Sequence, residues 1–161
     1  MMKNENQNYL DEIKKTIHLE HFKQFCHLFS SSTDKQKLRN IFYFSTCKVK
    51  TTINMFQNEM KVVLTEDEAK YMLELIQAYL NKSTFRKKVD NFVRNELLVK
   101  QNHKCAICSC YIDNNAHLDH IIPFKYVGDE LKNNYQLLCP NCNRIKNVNM
   151  DYQLKYLIRK L

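Results

Sequence analysis

The chain has 161 residues, enough for one domain or for a compact module with an extension. One Gly and two Pro in the whole chain argue against a turn-rich all-β protein and favour helices joined by polar loops. No apolar run reaches about eighteen residues, the usual minimum for a membrane helix, and the polar start MMKNENQNYL lacks a signal-peptide core. We therefore expect a cytoplasmic protein with no membrane partner.

The net charge and the cysteine content indicate which kinds of ligand the chain could bind. The formal net charge of +8 suits a polyanion, because Lys and Arg that neutralise phosphates release counterions. Charge alone is a weak indication, since many basic proteins bind no nucleic acid. The seven cysteines are an odd number in a chain without a secretory signal, which favours metal ligation over a disulfide framework.

Helical patterns dominate the first half of the chain. Apolar residues recur at helical spacing over 9–29, and a polar break at 30–34 supplies caps for a further helix. Residues 40–64 fit a strand or a helix, and we favour the helix. The segment Thr65–Glu68 is a capping box for the next helix. We predict a mainly helical N-terminal region over residues 1–83.

A further basic helix is predicted to start near residue 84 and to lead into the first cysteine pair. Its apolar residues recur at helical spacing, and only Asp90 and Glu96 oppose its many Lys and Arg residues. Such a face is either simply solvated or in contact with phosphate, and we favour phosphate. The side chains expected at this interface are Arg86, Lys87 and Arg94.

Two Cys-x-x-Cys pairs, Cys105/Cys108 and Cys139/Cys142, have the spacing of zinc ligands. Two thiolates on each tight turn give a tetrahedral all-thiolate site. Thirty residues, 109–138, separate the pairs, so we expect a folded insertion between them. The Zn²⁺ would be structural, because four protein ligands leave no position for water or substrate. The nearby donors that we expect to be bystanders are Cys110, His103 and His117.

The insertion contains the adjacent pair Asp119-His120. Neighbouring residues point to opposite faces of a straight strand. Where the strand ends and turns, however, one side chain can hold a metal while the other reaches a water. Residues 135–138 predict a short returning strand, and Pro140 favours a helix start. The predicted order is cysteine turn, strand, loop, strand, cysteine turn and helix.

This segment resembles the HNH nuclease family, whose ββα-metal fold has that order. The last residue of the family's three-residue signature is often His, but it is Asn143 in this chain, as in the H-N-N members of the family. An amide oxygen can still coordinate a divalent cation. The likeness covers about residues 84–150, and the fold class that it implies is α+β, with the nuclease domain over 84–161. The matching motifs are CAIC at 105–108, DHIIP at 119–123, Asn134, LCPNC at 138–142 and Asn143-Arg-Ile-Lys146.

The resemblance implies a role for each matching residue. His120 would be the general base that takes a proton from water. Asp119 and Asn143 would hold one Mg²⁺ or Mn²⁺ against the phosphate, so that cleavage leaves a 5′-phosphate and a 3′-hydroxyl. Asn134 would orient His120 or brace the loop. The candidates for contacts with the nucleic-acid backbone are Arg144 and Lys146.

The expected substrate is double-stranded DNA, and the expected enzyme is a small restriction endonuclease. Because one active site cuts one strand, a homodimer on a palindromic site is the simplest arrangement. The N-terminal region would then supply DNA recognition, dimer contacts or both. A homing, phage-encoded or nicking endonuclease has the same chemistry. An alternative of another class is a zinc-dependent nucleic-acid-binding module without catalysis, in which Asp119 and His120 are incidental.

Overall fold

The computed structural model describes residues 2–150 and 152, so the end of the predicted nuclease domain, residues 151 and 153–161, lies outside the described residues. The predicted α+β class with a helical N-terminal region is confirmed. In the described ranges, every helix is too short or too polar to cross a bilayer. The helices are α1 (Met2–Leu28), α2 (Ser32–Phe44), α3 (Lys48–Met55), α4 (Glu66–Asn81), α5 (Asn91–Lys100), α6 (Phe124–Val127) and α7 (Pro140–Lys146), and the strands are β1 (His117–His120) and β2 (Tyr135–Leu138).

Side-chain caps set the starts of the N-terminal helices. The Ser31 hydroxyl accepts a hydrogen bond from the Asp34 backbone N–H at 3.0 Å, which opens α2. At α4 the Thr65 backbone N–H donates to Glu68 Oε2 at 2.8 Å, and Thr65 Oγ1 accepts from Glu68 in return. Between these helices, α3 continues into one π-helical turn, Phe56–Met60. The prediction that residues 40–64 are mainly helical is therefore confirmed.

The basic segment before α5 differs from its prediction, because the helix begins only at Asn91. Asp90 caps it, accepting from the Phe92 backbone N–H at 2.9 Å. Upstream, the Lys87 backbone N–H donates to Asp129 Oδ2 at 2.7 Å, and this bond to a distant loop competes with helix formation. Arg86 and Lys87 thus lie in an irregular segment rather than on a helix face.

The larger hydrophobic core is shared between the N-terminal helices and the loop that follows β1. Tyr126 and Val127 of α6 are buried in it, together with Ile122 just before that helix. The rings of Phe22 and Tyr126 lie 6.5 Å apart. Described residues on both sides of position 83 therefore contribute to this larger core. The α1 and α4 side chains in this core include Phe22, Phe25, Cys26, Met72, Leu75, Ile76 and Tyr79.

Gly128 lets the loop after α6 contact the end of α4 closely. Its φ is +62°, and a Cβ at this position would lie 3.1 Å from Lys82 Cβ and 3.3 Å from the Ser83 backbone nitrogen. A larger residue would be strained by the positive φ and crowded by the backbone of residue 83. The single glycine of the chain thus fixes the position of the loop that leads to Asp129.

A second, smaller core surrounds the β1–β2 hairpin. The strands are antiparallel, with Asp119 opposite Gln136 and His120 opposite Tyr135. The Gln101 side chain accepts from the Leu137 backbone N–H at 2.8 Å and donates to its carbonyl at 3.0 Å, which ties the end of α5 to β2. The buried members of this core are Leu98, Cys105, Ile107, Ile112, Ala116, Leu137, Leu138 and Cys142.

Candidate active site and metal centre

Four cysteine thiols lie close enough to hold one metal ion. Their Sγ atoms are within 4.8 Å of one another, and Cys108 Sγ lies 3.8 Å from Cys139 Sγ. Two sulfurs on a tetrahedral zinc with Zn–S bonds of about 2.3 Å are separated by about 3.8 Å, so this spacing fits the ion. With all four positions filled by thiolates, the ion would be structural. The group consists of Cys105, Cys108, Cys110 and Cys139.

Backbone amides donate hydrogen bonds to two of these sulfurs. The Cys139 N–H donates to Cys105 Sγ at 3.3 Å, and the Cys142 N–H donates to Cys139 Sγ at 3.4 Å. Burial alone would raise the pKa of the Cys108 thiol, but hydrogen bonds from Cys110 and the other neighbouring thiols lower it to about 7. Because the thiolate is the ligand form, the donor set suits zinc, and binding would release protons.

The position of Cys110 differs from the expected one. The sequence predicted Cys142 as the fourth ligand and Cys110 as a bystander, yet Cys110 belongs to the group of four. Ser109 has a φ of +59°, and the Cys110 carbonyl accepts from the Cys105 N–H at 2.8 Å. This turn brings Cys110 back to the other sulfurs. Cys142 is also at the cluster, since its backbone N–H donates to Cys139 Sγ at 3.4 Å and its side chain is buried in the same core as Cys105.

A polar cleft of about 590 Å³ lies beside the hairpin. It brings together Asp119 and His120 of β1 with Asn143 of α7, although these residues are distant in sequence. Three cationic side chains also line the cleft, namely Arg86, Lys125 and Arg144. An acidic and an imidazole group beside a cationic rim form a suitable setting for a phosphodiester.

His120 is paired with a buried carboxylate. Its Nε2 lies 2.7 Å from Asp129 Oδ1, which also accepts from the Tyr135 hydroxyl at 2.6 Å. The Asp129 side chain is only 2% exposed. Burial would raise the pKa of this carboxyl, but hydrogen bonds from Tyr135, the Lys87 backbone and His120 hold the pKa below its usual value. Since Nε2 is bound to Asp129, Nδ1 is the ring nitrogen that remains for a water.

Asp119 is held by a buried lysine. Its Oδ2 accepts from Lys146 Nζ at 2.8 Å and from Gln136 Nε2 at 3.0 Å. Lys146 Nζ also donates to the His120 carbonyl at 2.7 Å, and its side chain is 6% exposed. Lys146 therefore lies within the site and positions Asp119, rather than on the exposed surface where a contact with the nucleic-acid backbone was expected.

The two asparagines have different surroundings. Asn134 is buried, and its amide accepts from the Ile122 N–H at 2.8 Å and donates to the Ile122 carbonyl at 2.9 Å. Of the two roles considered for it, this geometry corresponds to bracing the loop. Asn143 Nδ2 lies 2.9 Å from His117 Nδ1. Because an amide nitrogen can only donate, His117 accepts, and the Asn143 oxygen is left as the acceptor that a cation needs.

Residues 105–149 match the family model described as HNH endonuclease. This segment is an HNH domain. It contains the thiol cluster, the hairpin with Asp119 and His120 of the cleft, and α7, so the domain supports a nuclease-type function and implies binding of nucleic acid. The same comparisons found no significant match among curated proteins or among solved structures.

The basic residues predicted upstream of the HNH domain are not equivalent. Arg86 lines the cleft, with its guanidinium carbon 5.0 Å from the centre of the Phe124 ring. Lys87 is 63% exposed. Arg94 instead donates to the carbonyls of Asn114 and Ala116, which fixes the segment that enters β1. Of these three residues, Arg86 is the best placed to contact a phosphate in the cleft. Arg94 instead stabilises the segment before β1 through its bonds to backbone carbonyls.

Sequence reasoning missed Asp129 and Tyr135 as partners of His120. Asp129 follows the only glycine of the chain in an otherwise polar loop, and that adjacency was the one available signal. Tyr135 faces His120 across the hairpin, which follows from the register once both strands are placed. Neither contact is local in sequence, so neither has a motif of its own.

Proposed function

We propose that this chain is a metal-dependent endonuclease that hydrolyses phosphodiester bonds of double-stranded DNA to 5′-phosphate and 3′-hydroxyl ends. The observation that carries the proposal is the pairing of His120 with buried Asp129 in a cleft that also holds Asp119. An imidazole held by a carboxylate is the usual arrangement of a general base.

In the proposed reaction His120 removes a proton from water through Nδ1 while Nε2 remains bonded to Asp129. Asp119 and Asn143 supply a carboxylate and an amide oxygen, which are ligands that Mg²⁺ or Mn²⁺ accepts. The bound cation would stabilise charge on the phosphoryl oxygens and on the leaving 3′ oxygen. Lys146 keeps Asp119 in place, and Asn134 keeps the loop after β1 in place.

The proposal is tested by incubating supercoiled plasmid and linear phage DNA with the protein and Mg²⁺, Mn²⁺ or a chelator. Metal-dependent cutting whose ends a DNA ligase rejoins without added kinase would support the reaction and its products. Discrete fragments would indicate a restriction-type enzyme, whereas nicking or smearing would keep the chemistry and remove that assignment. DNA binding without cutting under every metal condition would indicate the non-catalytic zinc module.

We expect replacement of Asp129 to impair turnover more than binding. Asp129→Ala should lower kcat by at least about tenfold, because the His120 ring loses its hydrogen-bond acceptor. The loss should not exceed that expected for removal of a general base, which is about 10²–10⁴-fold. The Michaelis constant should change little, since Asp129 is buried away from the substrate. Steady-state cleavage of a labelled duplex measures both constants.

Tyr135→Phe is the matched control for Asp129, because it removes a hydrogen bond to the same oxygen but keeps the ring and the bond to His120. We expect a smaller loss of kcat in this variant. Equal activity of Asp129→Ala and the unaltered protein would show that the pairing with His120 is incidental.

We expect the cationic rim of the cleft to bind phosphate. Removing the charges of Arg86 and Arg144 together should weaken binding of duplex DNA and reduce the slope of log K against log salt by about one for each lost contact. Fluorescence anisotropy over a range of NaCl concentrations measures the slope. The control is Lys70→Ala on α4, which removes an exposed charge paired with Glu66 and should leave the slope unchanged. An unchanged slope in the double variant would place the DNA elsewhere.

We also propose that the enzyme cuts both strands as a homodimer, because each chain has one candidate active site. The N-terminal helices would provide dimer contacts, base recognition or both. Sedimentation of the protein with and without a palindromic duplex tests the proposal. A monomer under both conditions would favour a nicking enzyme.

A further inference from the structure

The metal centre has more thiols than a zinc ion can bind. The Sγ atoms of Cys105, Cys108 and Cys139 lie within 4.8 Å of one another, and two further cysteines, Cys110 and Cys142, lie at the same cluster. Cys110 Sγ lies within 4.8 Å of the three common sulfurs, and Cys142 is buried beside them with its backbone nitrogen 3.4 Å from Cys139 Sγ. A tetrahedral zinc accepts four ligands, so one of these two must be left out at any time.

The two candidate ligands have different settings. Cys142 is 3% exposed and lies in the first turn of α7, where its backbone N–H donates to Cys139 Sγ. Cys110 is exposed and follows the positive-φ residue Ser109 in a short turn. The Cys110 turn is nonetheless anchored, because the Cys105 N–H donates to the Cys110 carbonyl at 2.8 Å. Cys110 is therefore a solvent-facing thiol that is held at the cluster, whereas Cys142 is shielded.

We propose that Cys110 and Cys142 are alternative fourth ligands of a single zinc ion that Cys105, Cys108 and Cys139 hold in common. Exchange requires only that one thiolate leaves as the other enters, with a proton passing from the entering thiol to the leaving thiolate, so the charge of the site is unchanged. When Cys110 is the ligand, Cys142 in the first turn of α7 is released from the ion, while Cys139 at the N-cap of the helix stays bound. The exchange involves no step of DNA cleavage and does not depend on the proposed function.

The inference is tested with the full chain and Co²⁺ as a spectroscopic substitute for zinc. The intensity of the thiolate-to-cobalt absorption rises with the number of thiolate ligands. We expect Cys110→Ser and Cys142→Ser each to bind one metal ion with a four-thiolate spectrum. The double variant Cys110→Ser/Cys142→Ser should show a three-thiolate spectrum and an affinity lower by about tenfold or more. A three-thiolate spectrum already in Cys142→Ser would overturn the proposal.

A second measurement does not require Cys142→Ser to fold. The Cys110→Ser variant keeps the buried ligand Cys142 and loses the alternative ligand Cys110. The rate at which zinc passes from this variant to a chromogenic chelator therefore reports the effect of the alternative ligand. We expect release from Cys110→Ser to be several-fold faster than from the unaltered protein, because no second thiolate recaptures the ion. The control is Cys47→Ser, which removes an exposed thiol outside the cluster. Equal release rates from Cys110→Ser and the unaltered protein would overturn the proposal.

Discussion

Replacing His120 by alanine should lower the rate of phosphodiester cleavage by about 10²–10⁴-fold, the contribution expected of a general base. The variant loses the only imidazole that lines the described cleft and the hydrogen-bonding partner of Asp129. Binding of DNA and the zinc content should be unchanged, because His120 is neither at the cationic rim nor in the thiol cluster. Single-turnover cleavage with saturating protein isolates the chemical step.

Two further variants make the His120 experiment specific. His120→Asn can keep a hydrogen bond to Asp129 but cannot take up a proton near neutral pH, so we expect it to be as inactive as the alanine variant. His103→Ala removes another histidine of the same region, which stacks on Tyr111, and should cleave normally. Cleavage by His120→Ala at the unaltered rate would remove His120 as the base and leave the cleft without an assigned reaction.

Loss of zinc should unfold the smaller core of the HNH domain, which surrounds the β1–β2 hairpin. Structural zinc in small domains contributes about 10–16 kcal/mol to folding, more than most domains have in total. Cys105 is 1% exposed, contacts the other ligands and belongs to the hairpin core, so Cys105→Ser should have the same effect as chelation. We expect cleavage to be lost and hydrogen exchange to become fast over residues 104–120 and 135–146, which form the smaller core, while α1 to α4 and the residues of α6 that pack on them remain protected.

Cys47→Ser is the matched control for the zinc experiment, since Cys47 is exposed at the start of α3 and lies outside the thiol cluster. It should bind one zinc ion and retain full protection from exchange. If a chelator removed the zinc and the two strands, His117–His120 and Tyr135–Leu138, stayed protected, the ion would not be what holds the hairpin.

The parts of the structure that were predictable have local causes. Each Cys-x-x-Cys pair specifies its own turn, and two such turns with a thirty-residue insertion indicate one metal centre. Thr65 and Glu68 define a helix start through contacts three residues apart. The hairpin follows from a short segment that ends at Pro123 and a short returning segment, Tyr135–Leu138, on either side of a polar loop. These features require no knowledge of how distant segments meet.

The features that were missed depend on contacts between distant segments. Lys146 resembles a solvated helix residue in the sequence, but α7 packs against β1 and buries its ammonium group between Asp119 and the His120 carbonyl. The segment before α5 has helical composition, yet its backbone bonds to Asp129, which is 42 positions away. Cys110 joins the cluster through the positive φ of Ser109, a conformation that no residue pattern predicts for serine.

The core that joins α1 and α4 to α6 has a consequence for how the HNH domain responds to substitutions outside the cleft. The loop that ends in Asp129 rests on Tyr126 and Val127, and these pack among helices that are distant in sequence from the cleft. Substitutions at Phe22 or Met72 can therefore alter the cutting rate without touching the cleft. A chimera that joins the HNH domain to foreign helices would therefore need new side chains to pack against Tyr126 and Val127.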